Sequence, residues 1–558
     1  MPEPYSLVRR AWLPVALADG RRVFVRPCDI TSSHEGQSII RIDTGRPDCD
    51  ISLIELMIGL LAVALGAKDR REWAARYQEQ PGCEEIEAAL CALEPAMLLD
   101  GGRARFFQDF EKFDAEPNGA EALFVDAPGA NTLRENADHF VKRGRTAVLS
   151  RAGAAIALAT LQTIAPTGGA GHRTSLRGGG PLTTIVMPGT EDRAEPTLWQ
   201  RLWANVPEGL VATSDEYPAV FPWLRPTRVS DKGGAVTTAD DVHQAQAFFG
   251  MPRRIRLIFA DNPEARACDL LGIVDDIVVT GYVTRPWGTN YKGWGRAHPL
   301  SPYYRQTPGG EFLPLHLQSS RVGYRNWLGM VIETQDHLRV PAKCLDAFRK
   351  RVEELDEQAF GRYARLLVAG YAMDNMKPLD FAEALLPLII AAEAGTNETI
   401  NTLARNWVTA ANLVANQLVS AVRRALYRNK GNAARDSTVL DGAKFRFWAD
   451  TEAAFYRMLR EAADGVEARA SELSEHRDEL FRAAGAAWLG VLKHRALQIF
   501  DDAVPINSAD SDRMRDIIEG RKSLVLAVAG YGAVGKQLFE GLSQPAVNNT
   551  GKKGRKAA

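Results

Sequence analysis

The sequence predicts an α+β protein, a large mixed α/β N-terminal domain followed by a C-terminal helical bundle, and three observations carry that prediction. The first 45 residues alternate short β-rich runs with turn signals. The middle third is irregular and rich in proline and tryptophan, and after Met376 the texture changes to long amphipathic helix. At 558 residues the chain exceeds one ordinary core, and a prior of roughly 150 residues per domain suggests two to four domains. The boundaries fall at 1–377 for the α/β domain, 378–545 for the bundle and 546–558 for a basic flexible tail.

Taken in order, AWLPVAL and RRVFVRP flank Asp19-Gly20 and read as a hairpin. Helical patterns follow over 51–67, 70–77 and 83–93, and residues 100–150 are loop-dominated. Residues 152–165 form a small-residue apolar helix stopped by Pro166. Short strands fit 183–186, 254–259 and 277–280. Over 404–427, Trp407, Ala411, Val414, Leu418, Val422 and Ala425 recur at spacings of three or four, one stripe of an amphipathic helix. Further helices fit 447–460, 479–500 and 508–529, and four or more long helices joined by short loops make a bundle.

Composition places the chain among folded soluble proteins, with 46% apolar and 25% charged residues. The opening MPEPYSLVRRAWLPV does not resemble a signal peptide, and the apolar run 53–67 carries Glu55 and is too short for a membrane span. The six cysteines form no CxxC, and the nine histidines form neither HExxH nor HxH. That pattern predicts a cytoplasmic protein with free thiols, no membrane partner, no cofactor and no metal site of the usual spacing; ligands drawn from distant segments lie beyond what spacing can judge.

Net charge is −1, but the charges are unevenly spread. Acids are absent between His139 and Thr190, where Lys142, Arg143, Arg145, Arg151, Arg173 and Arg177 lie. They are absent again over 277–310, around Arg285, Lys292, Arg296 and Arg305, and over 399–435, which holds Arg405, Arg423, Arg424, Arg428, Lys430 and Arg435. Such windows suit a phosphate track on one face of a nearly neutral protein.

The segment GGAGHRTSLRGGGPLTT from Gly168 to Thr184 is the most informative. Six glycines in thirteen residues free backbone amides and let the chain approach another molecule closely, with Arg173 and Arg177 beside them. No GKS or GKT follows, so this is not a P-loop. In the narrow minor groove a loop without side chains fits where others clash, and a flexible hairpin tip is the other reading of the same run. In RPWGTNYKGWGR, Trp287, Tyr291 and Trp294 interleave with Arg285, Lys292 and Arg296, as base-stacking loops do and as packed loops also do. Asn375, in MDNMK, can bond base edges or cap the following helix. GYGAVG at 530–535 matches a dinucleotide fingerprint, but too little chain follows for the second strand and its acid, and a kinked helix is expected. No nucleophile or acid–base constellation is legible, so the chain is not expected to be an enzyme; an architectural nucleic-acid-binding subunit and, more remotely, a dinucleotide-dependent enzyme are the other readings.

GGAGHRTSLRGGGPLTT, the AWLPV opening and AGYAMDNMK before a helical region together resemble the large-subunit (CasA) family of the type I-E CRISPR surveillance complex, Cascade. The resemblance implies an α/β domain with a C-terminal four-helix bundle. It also implies a non-catalytic role: reading the protospacer-adjacent motif (PAM) of double-stranded target DNA from the minor groove, starting strand separation and R-loop formation, and docking a helicase-nuclease. Guide RNA then reads the target sequence. By matching motif, Gly169, Ala170 and Gly171 resemble the groove-entering loop, with alanine where relatives have glycine. Asn375 resembles the strand-separating wedge. Arg285, or else Lys292, resembles the basic finger at the motif, and His139, Phe140, Lys142 and Arg143 the loop that meets crRNA and the complex. Arg173, Arg177, Arg423, Arg424 and Arg428 are implied backbone contacts, and the small subunits neighbours of the bundle.

Overall fold

The computed structural model describes the chain apart from residues 1–2, 137–142, 170, 191–193, 232–233, 318–321, 353–354, 356–357, 392, 428–437, 470–472, 506–510 and 548–558. His139, Phe140, Lys142, Ala170, Arg428 and most of the basic tail therefore lie outside the described residues. The chain forms two compact units, Met1–Val322 with Asp336–Leu388, and Gly323–Gln335 with Ile389–Ala558.

The first unit opens with β1 (Leu13–Leu17), β2 (Arg22–Val25) and β3 (Gln37–Ile42), paired antiparallel with β1 central. The β1–β2 turn is the expected one: Gly20 has φ +85°, and the Asp19 carboxylate accepts from the Arg21 N–H at 3.0 Å. Next come α1 (Pro47–Ala64) and α2 (Arg151–Ile164), which pack together in the core. Both are buried almost all round, and the run of alanines in α2 permits that close approach. Strand β4 (Thr183–Met187) follows, then β5 (Arg254–Asp261) and β6 (Ile277–Arg285), which pair antiparallel through a bulge between Val279 and Gly281.

Strands β7 (Arg365–Asp374) and β8 (Lys377–Pro387) form a long hairpin whose β7 edge pairs with β4. Its two-residue turn, Asn375–Met376, has φ of +47° and +63°, the signature of a type I′ turn that matches strand twist. This corrects two expectations. The helical part does not start at 378, because the chain there returns along the sheet as β8, and Asn375 caps no helix.

The second unit contains α3 (Ala394–Tyr427), α4 (Thr438–Glu467), α5 (Leu473–Ala503), α6 (Ser511–Val528) and the short α7 (Gly532–Gly541). The predicted stripe of α3 is buried at all six positions. Trp407 stacks on Trp488 of α5 with ring centroids 5.4 Å apart, and the Trp488 indole N–H donates to the Trp407 carbonyl at 3.1 Å. The loop 323–335 joins this core: Tyr324 stacks on Phe455 at 4.5 Å and its hydroxyl meets Thr451 Oγ1 at 2.6 Å. GYGAVG is a helix–turn–helix joint rather than a strand turn. Gly530 donates to the Ala527 carbonyl and Tyr531 to the Leu526 carbonyl, a Schellman end to α6. A Cβ on Gly535 would meet the Ala527 carbonyl at 2.8 Å, so that glycine serves the α6–α7 crossing.

No helix of the described residues is long and apolar enough to cross a membrane.

Candidate nucleic-acid interface

The glycine segment leaves the C-terminal end of α2 and is tied back to it. Ser175 donates to the Ala165 carbonyl and Gly180 to the Ile164 carbonyl, each at 2.9 Å, which satisfies carbonyls that the helix end leaves open. Between these ties the chain projects as an exposed tip at Gly168 and Gly169. Gly169 has φ +88° and nothing within 4 Å of where a Cβ would stand. Gly171 has φ +80°, and a Cβ there would lie 2.7 Å from Pro286 and 3.0 Å from Trp287. The two loops are locked by the Trp287 N–H donating to the Gly171 carbonyl at 2.7 Å.

Arg173 strengthens the lock. Its guanidinium lies 5.3 Å from the Trp287 ring and donates to Ser230 Oγ at 2.9 Å and to the Ser230 carbonyl at 2.6 Å. Ser230 in turn donates its N–H to the Trp287 carbonyl. Arg285, immediately before this turn, is exposed and stacks over Phe113 at 4.8 Å. Lys292 is exposed as well, but it borders a separate cavity of about 380 Å³ shared with Ser175, Trp294, Phe312 and His316.

The far end of the glycine segment receives the hairpin tip. A Cβ on Gly179 would meet Met376 Sδ at 2.8 Å, and one on Gly180 would meet Met373 Cε at 2.5 Å. Asn375 stands exposed between these methionines, with its amide donating to the Asp374 carboxylate at 3.1 Å. One glycine-rich strip thus gathers the turn after β6 and the β7–β8 tip.

A cation that sequence reading missed underlies the strip. Arg253 is buried beneath Gly168, whose Cβ would fall 2.1 Å from its Nη1. It donates to the Pro166 carbonyl, and its Nε has no hydrogen-bond partner among the described residues. Burial pushes its guanidinium down to about 10, and burial together with the Arg253 charge holds His172 below its ordinary value. The signal was present in the run Met251-Pro-Arg-Arg-Ile-Arg256, where an arginine enters a buried strand.

A sequence profile described as CRISPR-associated protein Cse1 matches residues 6–487. The chain belongs to the Cse1 family. Its fold is similar to that of Thermus thermophilus CasA (Cse1), with a TM-score of 0.66 and 18% identity over 94% of this chain and 99% of that one. Cse1 from Acidimicrobium ferrooxidans gives 0.62 and 17% over 97% and 99%. A chain of a structure described as a CRISPR RNA-guided surveillance complex gives 0.67 and 15% over 94% and 100%.

Within this Cse1-family chain several expected phosphate contacts must be revised. Arg177 is only 3% exposed; its Nη2 donates to both Glu55 carboxylate oxygens at 2.6 and 2.8 Å, and its Nη1 donates to Thr183 and Ser301. It neutralises a buried carboxylate and presents no face to a phosphate. Arg151 is likewise paired, with Asp275 at 2.6 Å. The window 139–190 is free of acids in sequence but not in space.

Arg143 donates to Asn136 Oδ1 at 2.9 Å and to the Leu133 carbonyl at 3.2 Å. In the helical unit Arg424 is exposed and pairs with Glu519, whereas Arg423 is half-buried and its Nε has no hydrogen-bond partner among the described residues.

Proposed function

We propose that this chain is the non-catalytic large subunit of a type I-E, crRNA-guided DNA surveillance complex, working in the cytoplasm as part of antiviral defence. The tip Gly169–Gly171 enters the minor groove at the PAM. Arg285 acts as the basic finger rather than Lys292, because Arg285 adjoins the turn that locks onto Gly171. Asn375 parts the first base pair from the rigid end of a type I′ hairpin, and Arg253 supplies positive potential beneath the tip. The loop around His139, Phe140, Lys142 and Arg143 meets the guide, the helical unit meets the displaced strand and the small subunits, and the assembled surface recruits the helicase-nuclease.

The observation that carries this reading is the convergence of two separate loops on one glycine strip. A groove reader needs a side-chain-free edge, a cation and a rigid wedge within reach of each other, and here each is set against the same strip. The test is to add the chain back to a complex lacking it and follow R-loop formation on target duplexes with and without the motif. Opening that depends on both the chain and the motif is expected; opening indifferent to the chain would end the proposal.

Two further outcomes follow from the geometry. Asn375→Gly keeps the positive-φ turn and removes only the side chain. It should spare motif binding but slow base-pair opening, followed by base-analogue fluorescence; an unchanged opening rate would reduce Asn375 to a turn residue. Joint replacement of Arg423 and Arg424 by alanine should reduce the slope of log K against log salt by about one to two, since each lost phosphate contact removes roughly 0.9. The exposed Arg424–Glu519 pair contributes about 0–1 kcal/mol to stability, so the fold should survive the change. An unaltered slope would take both arginines off the phosphate track.

A further inference from the structure

The 3-10 turn Pro27–Thr31 packs on the helix Cys83–Cys91 and brings two thiols from distant parts of the chain to one carboxylate. Cys83 Sγ donates to Asp29 Oδ1 at 3.3 Å, Cys28 Sγ lies 3.8 Å from the same oxygen, and all three ligand atoms fall within 4.8 Å of one another. Tetrahedral zinc, with Zn–S of about 2.3 Å and Zn–O of about 2.0 Å, sets an S···O edge of roughly 3.5 Å. The two observed separations bracket that edge, and the two sulfurs, no more than 4.8 Å apart, need to stand roughly 3.8 Å apart to share one ion.

The surroundings suit such an ion. Asp29 Oδ2 is held by the Arg26 backbone N–H at 2.9 Å and by Arg26 Nε at 3.2 Å, while Oδ1 accepts from Arg26 Nη2 at 2.9 Å and faces the thiols. Arg26 Nη2 sits 3.5 Å from Cys83 Sγ, placed as an outer partner for a thiolate. Exchanging two thiol protons for one divalent cation leaves the combined charge of Arg26, Asp29, Cys28 and Cys83 at zero, so no unbalanced charge is buried. Cys28 is 1% exposed, while Cys83 and Asp29 are half-buried and give the ion a way in.

We propose that Cys28, Cys83 and Asp29 form a binding site for a thiophilic divalent cation of the zinc class, with a fourth position open to water. The ion would staple the turn after β2 to the helix Cys83–Cys91 near the start of the first sheet. The cysteines escape every spacing rule because the fold, not the local sequence, brings them together.

The test titrates the full chain, reduced with a phosphine, with Cd²⁺ and follows the ultraviolet thiolate-to-metal charge-transfer band. One equivalent should saturate the band at an amplitude set by two thiolates. Cys83→Ser should lose at least half of it, Asp29→Asn should weaken binding without changing its amplitude, and Cys91→Ser, a half-buried thiol on the same helix, should leave it unaltered. With Zn²⁺ alone, binding should release close to two protons per ion from the wild-type chain. A band that fails to saturate at one equivalent, or one that survives Cys83→Ser at full amplitude, would overturn the site.

Discussion

Gly169→Asp should lower the affinity of the assembled complex for a motif-bearing duplex by about ten- to a hundredfold, while single-stranded binding changes little. The reasoning rests on what surrounds the residue. At Gly171 any side chain would strike Pro286 and Trp287, so loss of binding there would mix local unfolding with groove exclusion. At Gly169 a Cβ enters open space, and the fold pays only for placing a side chain at φ +88°, about 1–2 kcal/mol. What Asp adds is bulk and negative charge at the point proposed to meet the groove floor, where one lost base-pair contact is worth about 1–3 kcal/mol. Competition binding with duplex and single-stranded targets at one salt concentration decides it. Equal losses on both would mean that the tip does not enter the groove.

The second large effect lies in the buried network beneath the strip. Arg177→Met should destabilise the first unit by about 3–5 kcal/mol, because Glu55 is then left buried without its guanidinium partner. Burial alone would raise the Glu55 carboxyl, but the Arg177 charge, the neighbouring His298 and the bond from the Thr183 hydroxyl outweigh it and hold the group at about 2. His298 is pushed down to about 4 by burial and by Arg177, and its Nδ1 accepts from the Leu300 N–H, so the proton sits on Nε2, 3.5 Å from Glu55.

Both shifts are depressions, so in each case the unfolded chain binds the proton first. Wild-type stability is therefore lost as pH falls, through His298 between about 6.5 and 4 and through Glu55 between about 4.5 and 2. Removing Arg177 takes away one of the two causes that lower His298, the larger being burial, and leaves Glu55 beside it without a competing cation, so its folded value rises towards the ordinary one. As pH falls from 7 to 5 the variant should therefore lose less stability than the wild type. Urea midpoints across that range test this, and parallel trends in the two proteins would contradict the network. Glu55→Leu with Arg177→Met should restore most of the stability. Folded Arg177→Met should keep the wild-type salt slope for DNA, since a guanidinium 3% exposed neutralises no phosphate.

Periodicity made much of the fold legible. The α3 stripe, the Asp19–Gly20 hairpin and the alanine helix before Pro166 each depend on local physics: an apolar face at helical spacing, a turn residue that tolerates positive φ, a proline that ends a helix. Helix ends were less legible, since α3 begins ten residues before its expected start and α4 runs well beyond both limits. The segment 377–387 was misjudged because an alternating strand that follows a two-residue turn looks, in sequence, like the approach to the helices beyond it.

The parts of the site were legible in the residues alone: a glycine strip suited to positive φ and close approach, an arginine beside an aromatic turn, and an asparagine able to occupy a left-handed turn. Their neighbours emerged with the folded chain. It set Gly171 against Trp287 and Gly179 against Met376, turned Arg177 inward to Glu55 and placed Arg253 under the tip. It also brought Cys28 and Cys83 to Asp29. The physical reason is common to all of these. A charge or a thiol acts through neighbours within a few ångströms, and those neighbours come from segments whose separation along the chain carries no information about their separation in space.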